Sequence, residues 1–423
     1  MKNRKGRILK IALWILFVLV LLIGSFFLLR PKPPRPPESV ERVVEIETYL
    51  NDLVTFGTPP GISLVVVKNG KMVYSHGFGL ADGPNNVPAT PDSVYHWWSM
   101  TKIPTAIAII QLQEQGLLNL DDPVVDYLPF FGVTYPAESS QPVTIRHLLS
   151  HGSGMPDAIP AIFGWIHHPE DPSVNQTNLI KEKLPDYTKL TFEPGTDTNY
   201  TNIGYMVLGA VIEEVSGQDY EDYVLQHILQ PLSMDHTNFI YTDAMLSNAA
   251  AGSHLSLEFQ ALLLPFLLED SESYIRERVN GRIWFNNLYN DQTPPTGLIG
   301  PSTDVAQLML AYLNGGEMNG QRILAEESIA MMTYGSHIFR KGVPLLDYAL
   351  QGLGWKTSAV QGLGWKISAV DSKRLFVEHS GGGPGFGCQM RLYPEEGLGI
   401  VIMANDTTYD RDIILDLVAS LDW

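Results

Sequence analysis

The chain has 423 residues, 45% of them hydrophobic, enough to bury a substantial core in one large domain or two interleaved ones. Its 28 basic and 46 acidic residues leave a formal charge of -18, which repels nucleic-acid phosphates and anionic lipid head groups and argues against a polynucleotide partner. The one cysteine, Cys388, excludes an internal disulfide.

Residues 1–10 form a basic tail containing Lys2, Arg4, Lys5, Arg7 and Lys10, and Ile11 to Leu29 carries no charge. That span is long enough to cross about 30 Å of hydrocarbon as a helix. The heavier basic flank lies in front of it, so the positive-inside bias predicts a single-pass signal anchor in the cell membrane with the rest of the chain extracytoplasmic. Cleavage would make the domain secreted, but no Ala-x-Ala-like site follows the span. Residues 30–40 are proline-rich and read as a stiff extended spacer. The folded domain is expected over 41–423.

Ile62 to Val67 and Met72 to Tyr74 are apolar, partly β-branched runs joined through Lys68-Asn69-Gly70-Lys71. Asn-Gly supplies two residues that tolerate positive φ, so this is an opening hairpin. From Ser99 to about Gly116 the spacing of Ile103, Ile107, Ile110 and Leu112 predicts a largely buried helix, with Pro104 near its first turn. Further helices are predicted at Ile145 to Ser150, Gly204 to Val215 and Tyr220 to Leu229. Strand-like text returns at Arg374 to Glu378, Gln389 to Tyr393 and Leu398 to Met403, before an amphipathic segment Ile413 to Leu421. The fold class is therefore α/β of the α+β kind. An antiparallel sheet built from N- and C-terminal strands is flanked by helices, with a mostly helical region inserted between them.

Two segments stand apart. Gln351 to Val360 is followed at once by a near-identical copy, Gln361 to Val370. Ten is even, so a slip of one copy leaves every side chain on its face; the second copy is expected to pair in the sheet and the first to loop out. Leu255 to Leu268 is too short to span a membrane and is broken by Pro265; it is expected to be a core helix rather than a lid.

Three short motifs carry chemistry. In WWSMTK, Ser99 and Lys102 stand at i, i+3, which puts a hydroxyl and an amine on one helix face. A hydroxyl needs a nearby base before it becomes a nucleophile, and a lysine in that role must be neutral or pass its proton on. A chain of this composition contains such a pair by chance, so alone it proves nothing. In the second motif, Tyr200 and Asn202 form a Tyr-x-Asn triplet before a helix. A phenol with a depressed pKa takes a serine proton, and an amide beside it holds a lysine and a substrate carbonyl. In the third, HSGGGPGFG runs from His379 to Gly387 directly after a strand, where glycines let a backbone N–H approach a reacting carbonyl. No Gly-Lys-Ser/Thr follows to make it a phosphate loop.

In this order, the three motifs resemble the serine β-lactamase and penicillin-binding protein superfamily, especially its class C β-lactamase-like branch of esterases and D-amino-acid peptidases. PGISLVVVKNGKMVYSHGFGLAD, TIRHLLSHGSGMP and GLGIVIMAND resemble the family's flanking text, so the likeness covers about 41–423. The resemblance implies that Ser99 is the acylated nucleophile, Lys102 its helix partner and Tyr200 the general base shared with that lysine. It implies Asn202 as the substrate-side amide and the backbone N–H groups of Ser99 and Gly382 as the oxyanion hole. His379-Ser380-Gly381 takes the place of the family's Lys-Thr-Gly strand motif.

That histidine matters for substrate choice. A lysine there stays charged, whereas a histidine with a reference pKa of about 6.5 is mostly neutral at pH 7, which disfavours strong β-lactamase activity. The expectation is a membrane-anchored serine hydrolase, esterase-like, acting on small uncharged or lipophilic esters, amides or peptides without a metal or organic cofactor. A cell-wall D,D-peptidase or weak β-lactamase is the first alternative, and a non-catalytic surface sensor or scaffold the second. His167, His168, Glu170 and Asp171 read as a solvated loop, not as a metal site. Trp97 and Trp98 read as core residues.

Overall fold

A computed structural model describes residues 32–138, 140–157, 165–171, 174–268, 270–334, 357–370 and 374–423. The anchor expected at Ile11 to Leu29 lies outside these residues, and so does the start of the spacer. Among the described residues no helix is long and apolar enough to cross a membrane. Residues Pro36–Trp423 form one compact unit, whose first helix, α1, is Val43–Phe56.

The centre of that unit is an eight-stranded antiparallel sheet. In chain order its strands are β1 (Gly61–Lys68), β2 (Lys71–Asp82), β3 (Val87–Pro88), β4 (Thr357–Gln361), β5 (Lys366–Val370), β6 (Arg374–Gly383), β7 (Phe386–Tyr393) and β8 (Leu398–Ala404). Across the sheet they run β4-β5-β6-β7-β8-β1-β2-β3. The first strand therefore lies beside the last, with Val65 opposite Val401, and the helical middle of the chain is inserted between neighbours. The opening hairpin turns at Asn69 and Gly70, both at positive φ (49° and 78°).

Alternation along β1 explains its unbroken apolar text. Val65 and Val67 join the larger core, while Ile62, Leu64 and Val66 join a second core on the opposite face. A strand buried on both sides reads as a continuous hydrophobic run. The second core is covered by α1 through Ile46, Leu50 and Leu53, and by the closing helix α5 (Arg411–Ala419) through Ile414, Leu415 and Val418. The larger core takes α2 (Lys102–Glu114), α3 (Asn202–Ser216) and α4 (Ser302–Leu313). Every residue of α2 from Lys102 to Leu112 is buried, which is how a helix apolar on all sides must sit.

Several expectations need correction. The helix predicted from Ser99 begins as a 3-10 turn, Trp98–Thr101, and becomes α-helical only at Lys102. Tyr220 to Leu229 divides into an α-helix to Val224 and a wider π-type turn. The glycine-rich text after Glu378 does not follow a strand: β6 continues through His379 to Gly383. The tail of the first repeat copy does not loop out either. Thr357–Gln361 is the edge strand, paired with Lys366–Val370 of the second copy. The helix Phe259–Leu267 is only half core. Ala261 and Leu264 pack on Ile283 and Phe285, but Leu262 is 53% and Phe266 83% exposed.

Candidate active site

The site begins with a strained turn. Trp98 has φ 46°, a left-handed conformation that a bulky residue adopts only when its surroundings enforce it. They do so here: the indole is fully buried, stacks on His96 at 5.1 Å, and lies over Gly383, where an added Cβ would come within 2.6 Å of the ring. The Trp97 N–H donates to Leu298 O, and Leu298 N–H to Thr101 Oγ1, fixing the turn at both ends. Trp97 is fully buried as well, so both tryptophans belong to the core as expected. The turn leaves Ser99 half-buried between buried Trp98 and Met100 and starts α2 at Lys102.

Lys102 is fully buried. Its Nζ lies 2.7 Å from Asn202 Oδ1, 3.2 Å from Pro295 O and 3.4 Å from Ser99 Oγ. Burial drives its pKa well below the usual lysine range, and the Asp157 carboxylate pulls it back only in part. A neutral amine has two N–H groups and one lone pair. Asn202 Oδ1 and Pro295 O accept the two N–H groups, which leaves the lone pair for the Ser99 hydroxyl. Asn202 opens α3, and its own N–H donates to Asp157 Oδ1 at 3.1 Å. The cap of that helix is Thr201, whose hydroxyl accepts from Gly204 N–H.

Tyr200 completes this side, its ring 4.7 Å from Lys102 Nζ and its phenol interacting with Ser99. The depressed phenol pKa expected from the sequence is not found. Burial pushes it well above the usual tyrosine range, outweighing the Ser99 hydrogen bond, and Asp157 adds to the rise. The lysine is the group driven toward its basic form. His151 packs on the Tyr200 ring at 4.4 Å, and its Nδ1 accepts from Thr201 N–H. Burial holds this histidine well below its usual pKa, so it is a neutral wall.

The far side is β6. His379 Nδ1 lies 2.8 Å from Ser380 O; a carbonyl only accepts, so Nδ1 carries the proton. Burial first, and Lys102 second, push the His379 pKa down to about 3, in line with the neutral histidine expected at pH 7. Gly381 is buried, whereas Ser380 and Gly382 are exposed, following the two-residue period of a strand. A Cβ at Gly381 would lie 2.0 Å from Trp97 O and 2.7 Å from Cys388 Sγ. That close approach brings the nucleophile turn against the strand. Cys388 is buried, with its Sγ 3.0 Å from the same Trp97 carbonyl.

Beside these groups opens a cleft of about 570 Å³ lined by Tyr200, His379, Ser380, Lys366, Glu378 and Arg411 among others. Its walls are mostly ionisable, although the sequence led to the expectation of uncharged or lipophilic substrates. Thus Ser99, Lys102, Tyr200 and Asn202 come together, His379 and Ser380 line the cleft, and Gly382 is exposed on the same strand. Sequence reasoning missed Asp157, the Pro295 carbonyl and Arg411. Each acts through a partner far away in the chain, and no local motif marks it.

Among the described residues one cluster could hold a metal ion. His254, Glu258 and Asp406 bring donor atoms within 4.8 Å of one another. However, His254 Nε2 accepts from Gly385 N–H, so Nδ1 holds the proton and faces Glu258 at 3.5 Å, while Arg282 pairs with Asp406. His254 thereby braces the turn after β6. His167 faces Asp291 at 3.3 Å and His168 stacks on Tyr274, so the adjacent histidines diverge.

Comparison with known proteins bears on the family and the fold. The Beta-lactamase family model matches residues 50–421. The chain is 34% identical to Protein flp of Staphylococcus aureus (strain MW2) over 217 residues, 50% of this chain but only 41% of that protein. It is 28% identical to Penicillin-binding protein 4* of Bacillus subtilis (strain 168) over 362 residues, 83% of this chain and 70% of the relative. The structure of the octameric penicillin-binding protein homologue from Pyrococcus abyssi superposes with a TM-score of 0.68 at 25% identity, covering 90% of this chain and 78% of that one.

Proposed function

The chain belongs to the Beta-lactamase family, within the serine β-lactamase and penicillin-binding protein superfamily, and on that premise we propose that it hydrolyses esters or amides through an acyl-enzyme on Ser99. The observation that carries the reading is the Lys102 amine, buried, drawn toward neutrality and 3.4 Å from Ser99 Oγ.

In this reading Ser99 Oγ attacks the acyl carbonyl as its proton passes to Lys102 Nζ. The oxygen that becomes negative is held by the backbone N–H groups of Ser99 and Gly382. Tyr200, protonated in the resting site, hands a proton from Lys102 to the leaving alcohol or amine. A water then enters the vacated position, gives its proton to the same relay and releases the acid, regenerating Ser99. Asn202 and Asp157 position the lysine.

Neutral His379 supports ester or simple amide substrates over β-lactams. Arg411 on the cleft wall, where Lys366 is already paired with Glu378, favours a second reading, a D,D-peptidase whose substrate ends in a carboxylate. A short nitrophenyl ester, a D-Ala-D-Ala peptide and nitrocefin assayed in parallel separate the two. The ester turned over fastest supports the first reading, the peptide the second, and no turnover of any supports a non-catalytic sensor. We also propose that Ile11 to Leu29 anchors the enzyme in the cell membrane, on the strength of its length and flanking charge. Resistance of the full chain to carbonate extraction tests this.

A further inference from the structure

Arg411, the first residue of α5, makes two bonds that reach back into the candidate site. Its Nη1 donates to Gly381 O at 2.6 Å and to Cys388 O at 3.0 Å, a pair of residues opposed across β6 and β7. Gly381 C=O and Gly382 N–H are the two ends of one planar trans peptide and point in opposite directions. The carbonyl end lies on the guanidinium. The N–H end therefore points away from it, at an exposed residue four positions beyond the last pairing with β5, Lys366 opposite Glu378.

The neighbouring carboxylates have other partners. Asp410 is occupied as the cap of α5, accepting from Ile413 N–H. Asp412 accepts from Arg391 and Gln389. Asp406 is held by Arg282. Among the described residues Arg411 forms no ion pair of its own. A guanidinium never deprotonates in this setting, and both N–H groups of a single Nη atom are available for the two carbonyls.

We infer that Arg411 is a positioning residue for the oxyanion donor: by bonding to the carbonyl of the Gly381–Gly382 peptide it fixes that peptide's plane and strengthens its N–H end as a donor. Hydrogen bonds in a chain polarise one another, and a charged donor at one end of a peptide makes the other end more positive. The N–H gains most when the substrate oxygen becomes negative, so the contribution falls on the transition state rather than on substrate binding. The inference rests on the proposed acyl-enzyme mechanism.

The test uses the full chain and an uncharged nitrophenyl ester. Removing a whole oxyanion donor costs about 10²- to 10³-fold in kcat, so R411A, which only weakens one, is expected to lose roughly 10- to 50-fold in kcat with KM within about twofold. R411K should fall between, and added guanidinium ion should restore part of the R411A rate, a response that a merely structural role would not give. Unchanged kcat in R411A overturns the inference. So does a loss confined to KM and to carboxylate-bearing substrates, which would make Arg411 a substrate-binding residue. If R411A does not fold, the phosphonylation rate of R411K by an uncharged fluorophosphonate decides: a slowed rate supports the inference and an unchanged one overturns it. Ser99→Ala is run alongside, because turnover persisting there defeats the mechanism itself, whatever Arg411 does.

Discussion

Lys102 and Asn202, a hundred positions apart in sequence, are joined by a 2.7 Å hydrogen bond from Nζ to Oδ1. That bond ties α2, which begins three residues after Ser99, to α3, which follows Tyr200, and it helps determine which way the lysine lone pair faces. Asn202→Asp would place a carboxylate at the same distance and pin the lysine in its charged form. The expected result is a loss of about 100-fold in kcat at pH 7, with activity recovering as pH rises. A steady-state pH profile of the variant checks it.

The wild-type pH profile follows from the same lysine. Its pKa is lowered, so the neutral form that accepts the serine proton appears below the usual lysine range of about 10.4. Activity should climb with pH through a single group titrating in that lowered range. His379, already pushed down to about 3, should contribute no step between pH 5 and 8. His379→Gln is expected to leave the ascending limb in place, and a limb that vanishes in this variant would assign it to the histidine instead.

Stability has its own pH dependence, and three buried histidines, His96, His151 and His379, push it in one direction. His96 and His379 are both lowered to about 3, with burial as the leading cause. Between about 6.5 and 3 the unfolded chain binds protons that the folded chain does not, so the fold loses stability as pH falls through that window. Each group contributes a slope of up to about 1.4 kcal/mol per pH unit. Denaturant midpoints measured from pH 7 to pH 4 should decline, and should decline less steeply in His379→Gln.

Tyr200→Phe separates relay from base. With the phenol held above its usual range, removing its hydroxyl should slow acylation by about 10- to 100-fold, less than Lys102→Met does. A larger loss in Tyr200→Phe than in Lys102→Met would return the base role to the tyrosine.

The three glycines of β6 are not equivalent. A Cβ at Gly381 meets the Trp97 carbonyl at 2.0 Å and one at Gly383 meets the Trp98 ring at 2.6 Å, whereas at Gly382 nothing lies nearer than Arg411 Nη1 at 3.9 Å. Gly381→Ala and Gly383→Ala should each destabilise the fold by about 1–3 kcal/mol, and Gly382→Ala should be tolerated. Thermal unfolding of the three variants gives the comparison.

Much of this was legible from local text. Asn69-Gly70 announced the first hairpin because both residues tolerate positive φ, and apolar runs at both ends of the chain announced a sheet made from its termini. The residues meeting at Ser99 were legible from their motifs. The full length of the strand through Gly381 was not, because the apolar text ends at Glu378 and three glycines carry no strand signal of their own. The edge strand Thr357–Gln361 was hidden by the repeat, whose even period leaves the register undecided. Asp157 and Arg411 carried no local signal, since they reach residues 45 and 30 positions away.

The most direct measurement is the intact mass of the full chain after reaction with an uncharged fluorophosphonate, with the adduct located by peptide mapping. One adduct on Ser99, absent in Ser99→Ala and slowed in Lys102→Met, is the predicted result. An adduct on another residue, or equal labelling of Ser99→Ala, would contradict acyl-enzyme formation at Ser99.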